Sequence, residues 1–490
     1  MRPGVNVTTS AVAGISSPGQ RLGRWFVAGI TERGPVGASP ELHSLSDFVN
    51  TYGVRVTYGT LYDAVDAYFR TGGSSVLVSR VVGPTPTKAT LTLVDKASTP
   101  VNTLKVDAKG PGAYGTRITV AVAAGTTANT FIVSVYFDGT IVEASPECAT
   151  PADAVQWSRY SGWVTLTDLA SVTAAPDNIP AVSAAAALVG GSDDRANITN
   201  TEWAAALALF ARAMGPGLVS APGRTTSAGI VQVMDHAAAM TTRQALVEGP
   251  AGATASTLST LAGTVRSATA NDEWGALAAA WLTVPGVAPA LTRDVPPSAV
   301  AAGLISRQVS TGSPNVPAAG KNGEAPWVLD LAQGEFTDAE RQTLNDAGVD
   351  VFHRPYGSST VTLYGYRTLD AAGSARWTNL GAQLLRILLT EEALLIGENF
   401  VHDMIDGRGF KQAEFNGALR AMLLGHYLAG ELFGATPDEA FRVDTGPGVN
   451  TPITLAANTL KANITCRMSP FAEEVDINIV KFPITESLKG

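Results

Sequence analysis

The chain is short of charge, of cysteine and of basic runs, and each shortage removes a class of explanation. Charged residues make up 16% of its 490 residues, against 45% hydrophobic ones. Soluble domains carry about 25% charge on average, so much of this surface is expected to be buried, internally or against partners. Two cysteines, Cys148 and Cys466, stand far apart, with no CxxC and no metal-ligand spacing. That excludes a disulfide scaffold and makes a reducing compartment the expectation. No Lys/Arg run alternates with aromatics, and the formal net charge is −9. Nucleic-acid binding rests on neutralising phosphates, so no direct nucleic-acid partner is expected. The start has no apolar signal core. The apolar stretch near 271–287 is broken by Asp272, Glu273 and Pro285, so no membrane insertion is expected either.

Catalytic patterns are also missing. The histidines, His43, His236, His353, His402 and His426, fall in no HExxH spacing. Each is expected to be a packed or surface residue. Adjacent acids occur at Asp193–Asp194, Glu391–Glu392 and Glu473–Glu474. Neighbours in sequence do not share a face of a helix or strand, so these pairs make no shared-proton dyad and read as solvated surface. There is no GxxxxGK[ST], no GxSxG, and Gly29, Gly34 and Gly37 do not fit GxGxxG. The sequence therefore predicts no catalytic residue, no cofactor, no metal and no enzyme.

The residues present predict a mixed α/β, multi-domain chain. Residues 1–22 read as an extended arm in which Val5 and Val7 alternate with Asn6 and Thr8. Trp25–Ile30 and Val76–Val82 are apolar strands. Helices from about Ser46 and over Thr60–Arg70 lie between them, an order that implies a parallel pair. Short β runs at Leu91–Val94, Ile118–Val122 and Phe131–Phe137 mark an inserted all-β domain over 83–187, low in helix formers. The discontinuous α/β core, 23–82, resumes over 188–373. Capping boxes open helices at Thr199 (running to Ala213) and Thr337. Strands are expected at Leu218–Ala221, Ala245–Glu248, Ala280–Val284, Val349–His353 and Thr360–Tyr364.

Residues 374–473 form a C-terminal α+β domain. One helical face is Leu380, Leu384, Ile387 and Leu388, with Leu395 beyond; another is Phe415, Leu419, Met422 and Leu423. Thr436-Pro-Asp-Glu439 reads as a further capping box. Over 474–490, Val475, Ile477 and Ile479 alternate with Asp476 and Asn478 as a second strand arm.

The ordered set of local strings resembles the sheath protein of contractile phage tails and related contractile injection systems. Pro3-Gly4-Val5-Asn6-Val7 resembles that family's start. Phe26-Val27-Ala28-Gly29 with Arg33-Gly34-Pro35 is similar to its first strand and turn, and Gly110-Pro111-Gly112-Ala113-Tyr114-Gly115 to one of its turns. Leu188–Asp193 resembles the return to the core, Pro296-Pro297-Ser298 a proline loop, and Gly365–Leu369 a further string, with Tyr366 where a small residue is expected. Glu474-Val475 to Phe482 resembles the C-terminal strand.

The resemblance implies a structural subunit that polymerises with itself as hexameric rings stacked helically around an inner tail tube protein. Baseplate and tail terminator proteins would be its other partners. The sheath would contract from a metastable extended state and drive the tube through the target envelope, in a virion tail assembled in the host bacterial cytoplasm. The inserted β domain would face outward and the C-terminal domain the tube. Two arms would add strands to neighbours' sheets: Gly4, Val5, Asn6, Val7 and Thr8, and Glu474, Val475, Asp476, Ile477, Asn478, Ile479, Val480, Lys481 and Phe482. The alternatives are another self-assembling virion or shell component, told apart by closed shells or fibres in place of cylinders, and a cryptic α/β enzyme, told apart by ligand-induced stabilisation.

Overall fold

The computed structural model describes residues 22–287, 291–370 and 377–473, with Val475, Ile477 and Ile479 beyond them. Two compact units divide the described residues: one runs to Pro314 and resumes over Ala318–Glu391, and the other takes Asn315–Pro317 and the chain from Glu392 onward.

The first unit opens with β1 (Trp25–Gly29), α1 (Leu45–Tyr52), α2 (Leu61–Thr71) and β2 (Val76–Arg80). Every residue of β1 and β2 is buried, as parallel strands covered on both faces must be. They pair in parallel from Trp25↔Val76 to Gly29↔Arg80. Ser44 caps α1 through its hydroxyl, and Gly72, left-handed at φ +109, closes α2 where a Cβ would be penalised. Trp25 stacks on Tyr68 with ring centroids 5.0 Å apart and donates its indole N–H to Ser220 Oγ at 2.9 Å.

The chain then leaves the core for a β-sandwich: β3 (Thr90–Val94), β4 (Asn102–Ala108), β5 (Ile118–Ala124), β6 (Phe131–Phe137), β7 (Thr140–Ala144), α3 (Pro151–Ser158), β8 (Val164–Asp168) and β9 (Ser183–Ala187). Its sheets run β3-β4-β8 and β7-β6-β5-β9. Burial alternates along β5 and β6, so Ile118, Val120, Val122, Phe131, Val133 and Val135 meet in one core. The outgoing and returning chains are laced together: Thr87 and Ser192 exchange backbone hydrogen bonds of 2.8 and 2.9 Å, and Gly83 N–H donates to Asp193 O at 2.8 Å. Helix α3 was not foreseen. Thr150-Pro-Ala-Asp153 forms a capping box with the shorter Asp in the place of Glu. At its far end the Ser158 and Ser161 hydroxyls accept the N–H groups of Leu166 and Val164, which occupies the outer edge of β8.

The core resumes with α4 (Asn200–Ala208), β10 (Gly217–Ser220), α5 (Ser227–Met240), β11 (Arg243–Glu248), α6 (Ala255–Ala268), β12 (Gly275–Ala279), β13 (Leu282–Pro285), β14 (Thr292–Val295), α7 (Pro297–Thr311), β15 (Asp330–Leu331), α8 (Asp338–Asp346), β16 (Val349–His353) and β17 (Thr362–Leu363). The large sheet runs β17-β16-β12-β11-β10-β1-β2, and its one antiparallel pair among the described strands is β16/β17. The fold is mixed α/β with an inserted β-sandwich.

Several local expectations are corrected. The helix opened by Thr199 stops at Ala208, not Ala213. The strand expected over Ala280–Val284 starts only at Leu282 and lies outside the large sheet: β12, which was not expected, ends at Ala279, Ala280 sits at φ +67, and β13 turns away to pair with β14 and β15. The strand over Thr360–Tyr364 shrinks to Thr362–Leu363. Pro296-Pro297-Ser298 is no loop, since Pro297 is the first residue of α7, where its missing N–H has no helical partner to lose. Tyr366 is packed inside at 3% exposure, and burial pushes its hydroxyl well above the usual tyrosine range.

A buried ion network fastens β14 to α2. Arg293, 4% exposed at its side chain, bonds to both Asp63 and Asp66, themselves 6% and 5% exposed. Arg55 reaches Asp63 and Arg70 reaches Asp66 from the solvent side, each at 2.9 Å. Helix α7 lies directly on α2 at Gly303, where a Cβ would stand 2.6 Å from Thr71 Cβ and 2.7 Å from Tyr68 O.

The second unit begins at Glu392, within α9 (Leu380–Glu398), and continues with α10 (Phe410–Leu428), α11 (Pro437–Ala440), β18 (Phe441–Asp444), α12 (Pro452–Ala456) and β19 (Asn463–Cys466). Leu380, Leu384, Ile387 and Leu388 are buried as their spacing requires, whereas Leu395 is half exposed. Leu419 and Leu423 form the buried face of α10, and Asn416 ties that helix to β18 through the Val443 carbonyl at 3.0 Å. The capping box at Thr436 does not close. Its hydroxyl caps nothing, and the Glu439 carboxylate instead accepts the Ala435 N–H at 2.9 Å.

Candidate assembly elements

The second unit ends in a small antiparallel ladder. Strands β18 and β19 pair from Phe441↔Cys466 to Asp444↔Asn463, and no other described strand joins them. Beyond β19 the chain runs beside the turn that follows α10. Phe433 N–H donates to Arg467 O at 2.8 Å, Ser469 N–H to Glu431 O at 2.9 Å, and Ser469 Oγ to Gly430 O at 2.7 Å. Asn315 Nδ2 holds the Ser469 carbonyl at 2.7 Å. Residues 467–469 therefore form a fixed root for the chain that follows.

Of the arm residues singled out in the sequence, Gly4, Val5, Asn6, Val7 and Thr8 lie outside the described residues, as do Glu474, Asp476, Asn478, Val480, Lys481 and Phe482. Val475, Ile477 and Ile479 are described. They belong to no strand and are 74%, 80% and 89% exposed. Branched apolar side chains at every second position favour a pleated, half-buried setting, and the described residues of this chain give these three none.

The root carries a cluster that the sequence reading missed. His426, near the end of α10, faces two carboxylates: Nε2 lies 2.7 Å from Glu392 Oε2 on α9, and Nδ1 makes a shorter contact with Glu431 Oε2. Burial alone would lower the imidazole pKa. The hydrogen bonds to Glu392 and Glu431 outweigh that and raise it to about 9. Glu392 is thus a buried ion-pair partner, not solvated surface. The same correction applies to Asp193, which is 5% exposed and bonded to Arg195 Nε at 3.0 Å, and to Asp194, which accepts the Thr85 N–H and hydroxyl. Adjacent acids avoid sharing a partner without both facing water. A His at i and a Glu at i+5 across a helix end was the available signal, and its third member, Glu392, is distant in sequence.

The other places where chemistry could sit are filled by structure. In an open parallel sheet, ligands bind where the strand order reverses, here between β1 and β10. At that point Thr60 Oγ1 donates to Pro222 O at 2.8 Å, a Cβ on Gly59 would stand 2.8 Å from Ile30 O, and one on Gly223 would stand 2.8 Å from Thr60 Oγ1. The loops meet in direct contact. Next to them Glu248 is buried, accepts the Gly223 N–H at 2.5 Å, and is pushed by burial to about 7. A void of about 10 Å³ between Leu246, Ala278, Ala301, Ile305 and Asp350 has room for a single water. His236 meets Arg243 Nη1 at 3.0 Å, and burial first, then that cation, lowers it to about 4. Among the described residues no group of three His, Cys, Asp or Glu is placed to hold a metal.

Comparison with known proteins agrees with this geometry. No curated protein matches the chain. Residues 84–194 match the phage tail sheath protein beta-sandwich domain. The sheath tail protein of Listeria innocua superposes with a TM-score of 0.61 at 14% identity, over 87% of this chain and 89% of that one. The sheath tail protein of Desulfitobacterium hafniense gives 0.58 at 15% identity, over 90% and 93%. A subunit from the helical sheath of the anti-feeding prophage in its contracted state gives 0.52 at 15% identity, over 99% of both chains. This chain therefore carries the phage tail sheath beta-sandwich domain, set within the fold of the contractile sheath proteins.

Proposed function

We propose that this protein is a structural subunit of a contractile sheath, with no catalytic activity of its own. It polymerises with itself as stacked hexameric rings around an inner tube protein, meets baseplate and terminator proteins at the two ends, and is assembled in the host bacterial cytoplasm. The observation that carries the reading is the likeness to a sheath subunit over 99% of the chain, and not over one domain alone.

Contraction needs no bound fuel in this account. New contacts between subunits supply the free energy as rigid bodies reorient, while the arms keep neighbours linked. The β-sandwich faces outward and the second unit faces the tube. The arms, Gly4–Thr8 and Glu474–Phe482, add strands to neighbouring copies, with backbone hydrogen bonds giving affinity and alternate side chains giving register. The exposed Val475, Ile477 and Ile479 and the two-stranded β18/β19 ladder support that reading from the two sides of such a joint.

Negative-stain electron microscopy of the purified chain, alone and with a tail tube protein from the same source, tests the proposal. Hollow, striated cylinders are expected. Closed shells, fibres, or dispersed monomers under both conditions would overturn it.

A further inference from the structure

We propose that a proton held on His426 clamps the root of the C-terminal arm, and that removing this proton in alkali loosens that root and the polymer the arm joins. The second half rests on the assembly reading above; the first half does not.

The argument begins with a count of protons. A neutral imidazole has one N–H and one lone pair, and an ionised carboxylate only accepts. Nε2 is 2.7 Å from Glu392 Oε2 and Nδ1 is closer still to Glu431 Oε2. Both contacts are hydrogen bonds only if the cluster holds one proton more than a neutral imidazole and two carboxylates. Little water is present to take over that role, since the side chains of His426, Glu392 and Glu431 are 11%, 18% and 7% exposed. The other ionic groups of α10 itself are engaged elsewhere. Arg420 pairs with Asp438, Lys411 with Asp403 and Glu414, and Glu439 accepts the Ala435 N–H. Within the cluster the imidazolium is therefore the cation that faces both carboxylates.

The place of the clamp gives it a consequence. Glu431 N–H donates to His426 O at 3.0 Å, and Glu431 O accepts from Ser469, the residue group from which the arm leaves. Phe433 and Gly430, on either side of Glu431, hold Arg467 and Ser469 in turn. When the imidazole loses its proton it can donate to only one of the two carboxylates, so the bridge from Glu392 on α9 to Glu431 opens and the hold on segment 430–433 weakens. The sign follows from linkage. The folded pKa is raised to about 9, so the stabilisation is fully present below the unfolded value of about 6.5 and is lost as pH rises toward about 9.

The test uses the full chain. Subtilisin cleavage within 467–473 is timed from about pH 7 to about pH 10, each rate normalised to that of a free peptide of the same sequence. His426→Gln is expected to speed cleavage roughly tenfold or more near pH 7, the factor that matches one pKa unit of lost interaction. Near pH 10 the natural chain should cleave as fast as the variant. Glu392→Gln keeps one carboxylate, so its loosening should move to lower pH, a shift that a merely structural role would not produce. Equal cleavage of the natural chain and His426→Gln near pH 7, or a difference that persists unchanged near pH 10, would overturn the clamp. Cylinders of the natural chain are expected to come apart over the same pH window. Cylinders indifferent to pH, with cleavage behaving as expected, would overturn the link to assembly and leave the clamp standing.

Discussion

Arg293→Met offers a direct test of how β14 is held to α2. The guanidinium bonds to Asp63 and Asp66, which lie one turn apart on α2 and are almost fully buried. Methionine keeps most of the side-chain volume and removes the charge. Two carboxylates then remain side by side, each with one partner, Arg55 or Arg70, reached from the solvent side at 2.9 Å. Breaking a buried pair by removing one partner destabilises by about 3–5 kcal/mol, because the remaining charge is uncompensated. The surviving arginines place this case at the lower end, about 3 kcal/mol. At about 2–4 °C per kcal/mol for a large domain, the transition of the first unit should fall by roughly 6–12 °C in differential scanning calorimetry. Removing the stranded charges as well, in Arg293→Met with Asp63→Asn and Asp66→Asn, should recover most of the loss, since the penalty lies in the unpaired carboxylates. A loss below about 1 kcal/mol for the single variant, or no recovery in the triple, would refute the reasoning.

Two further substitutions follow from burial and close approach. Glu248→Gln should stabilise the protein, with a gain that grows as pH rises. The folded carboxyl titrates near 7, above its unfolded range, so ionising it opposes folding across roughly pH 4–7 by up to about 3 kcal/mol, whereas the amide still accepts the Gly223 N–H; denaturant midpoints that fail to diverge between about pH 5 and pH 8 would contradict this. Gly303→Ala and Gly263→Ala, both inside helices, should act with opposite signs: the first pushes a methyl into Thr71 and the Tyr68 carbonyl and destabilises by about 1–3 kcal/mol, while the second meets nothing within 4 Å and gains up to about 1 kcal/mol of helix propensity, so thermal shifts of the same sign would sink the packing argument.

The frame of the fold was legible where local signals agree with the tertiary setting. The segments Val349–His353 and Phe131–Phe137, rich in β-branched and aromatic residues, became strands with those bounds, because such side chains suit a buried pleated setting. The capping boxes at Thr199 and Thr337 closed as read. What failed depended on neighbours distant in sequence. Ala280 takes a positive φ that no composition signals and so parts β12 from β13. At the short Thr436 helix the Glu439 carboxylate takes the Ala435 N–H, one residue before the N-cap, so no box forms. Helix α3 hid in a β-rich stretch because its capping residue is Asp153. The ion clusters were invisible for the same reason: Asp63 and Arg293 are 230 residues apart, and Glu392 and His426 are 34 apart. The resemblance to sheath proteins was carried by an ordered set of weak strings, and the likeness in fold to sheath structures at 13–16% identity agrees with it.

The account's central claim is that the chain is a subunit joined to its neighbours through its arms. The most direct measurement compares, by negative-stain electron microscopy, the full chain with a chain ending at Glu473, each purified in the same way and incubated with the tube protein. Striated cylinders from the full chain, absent from the shortened one while its melting transition is unchanged, are the predicted result. Cylinders of the same length and number from both chains would contradict the claim.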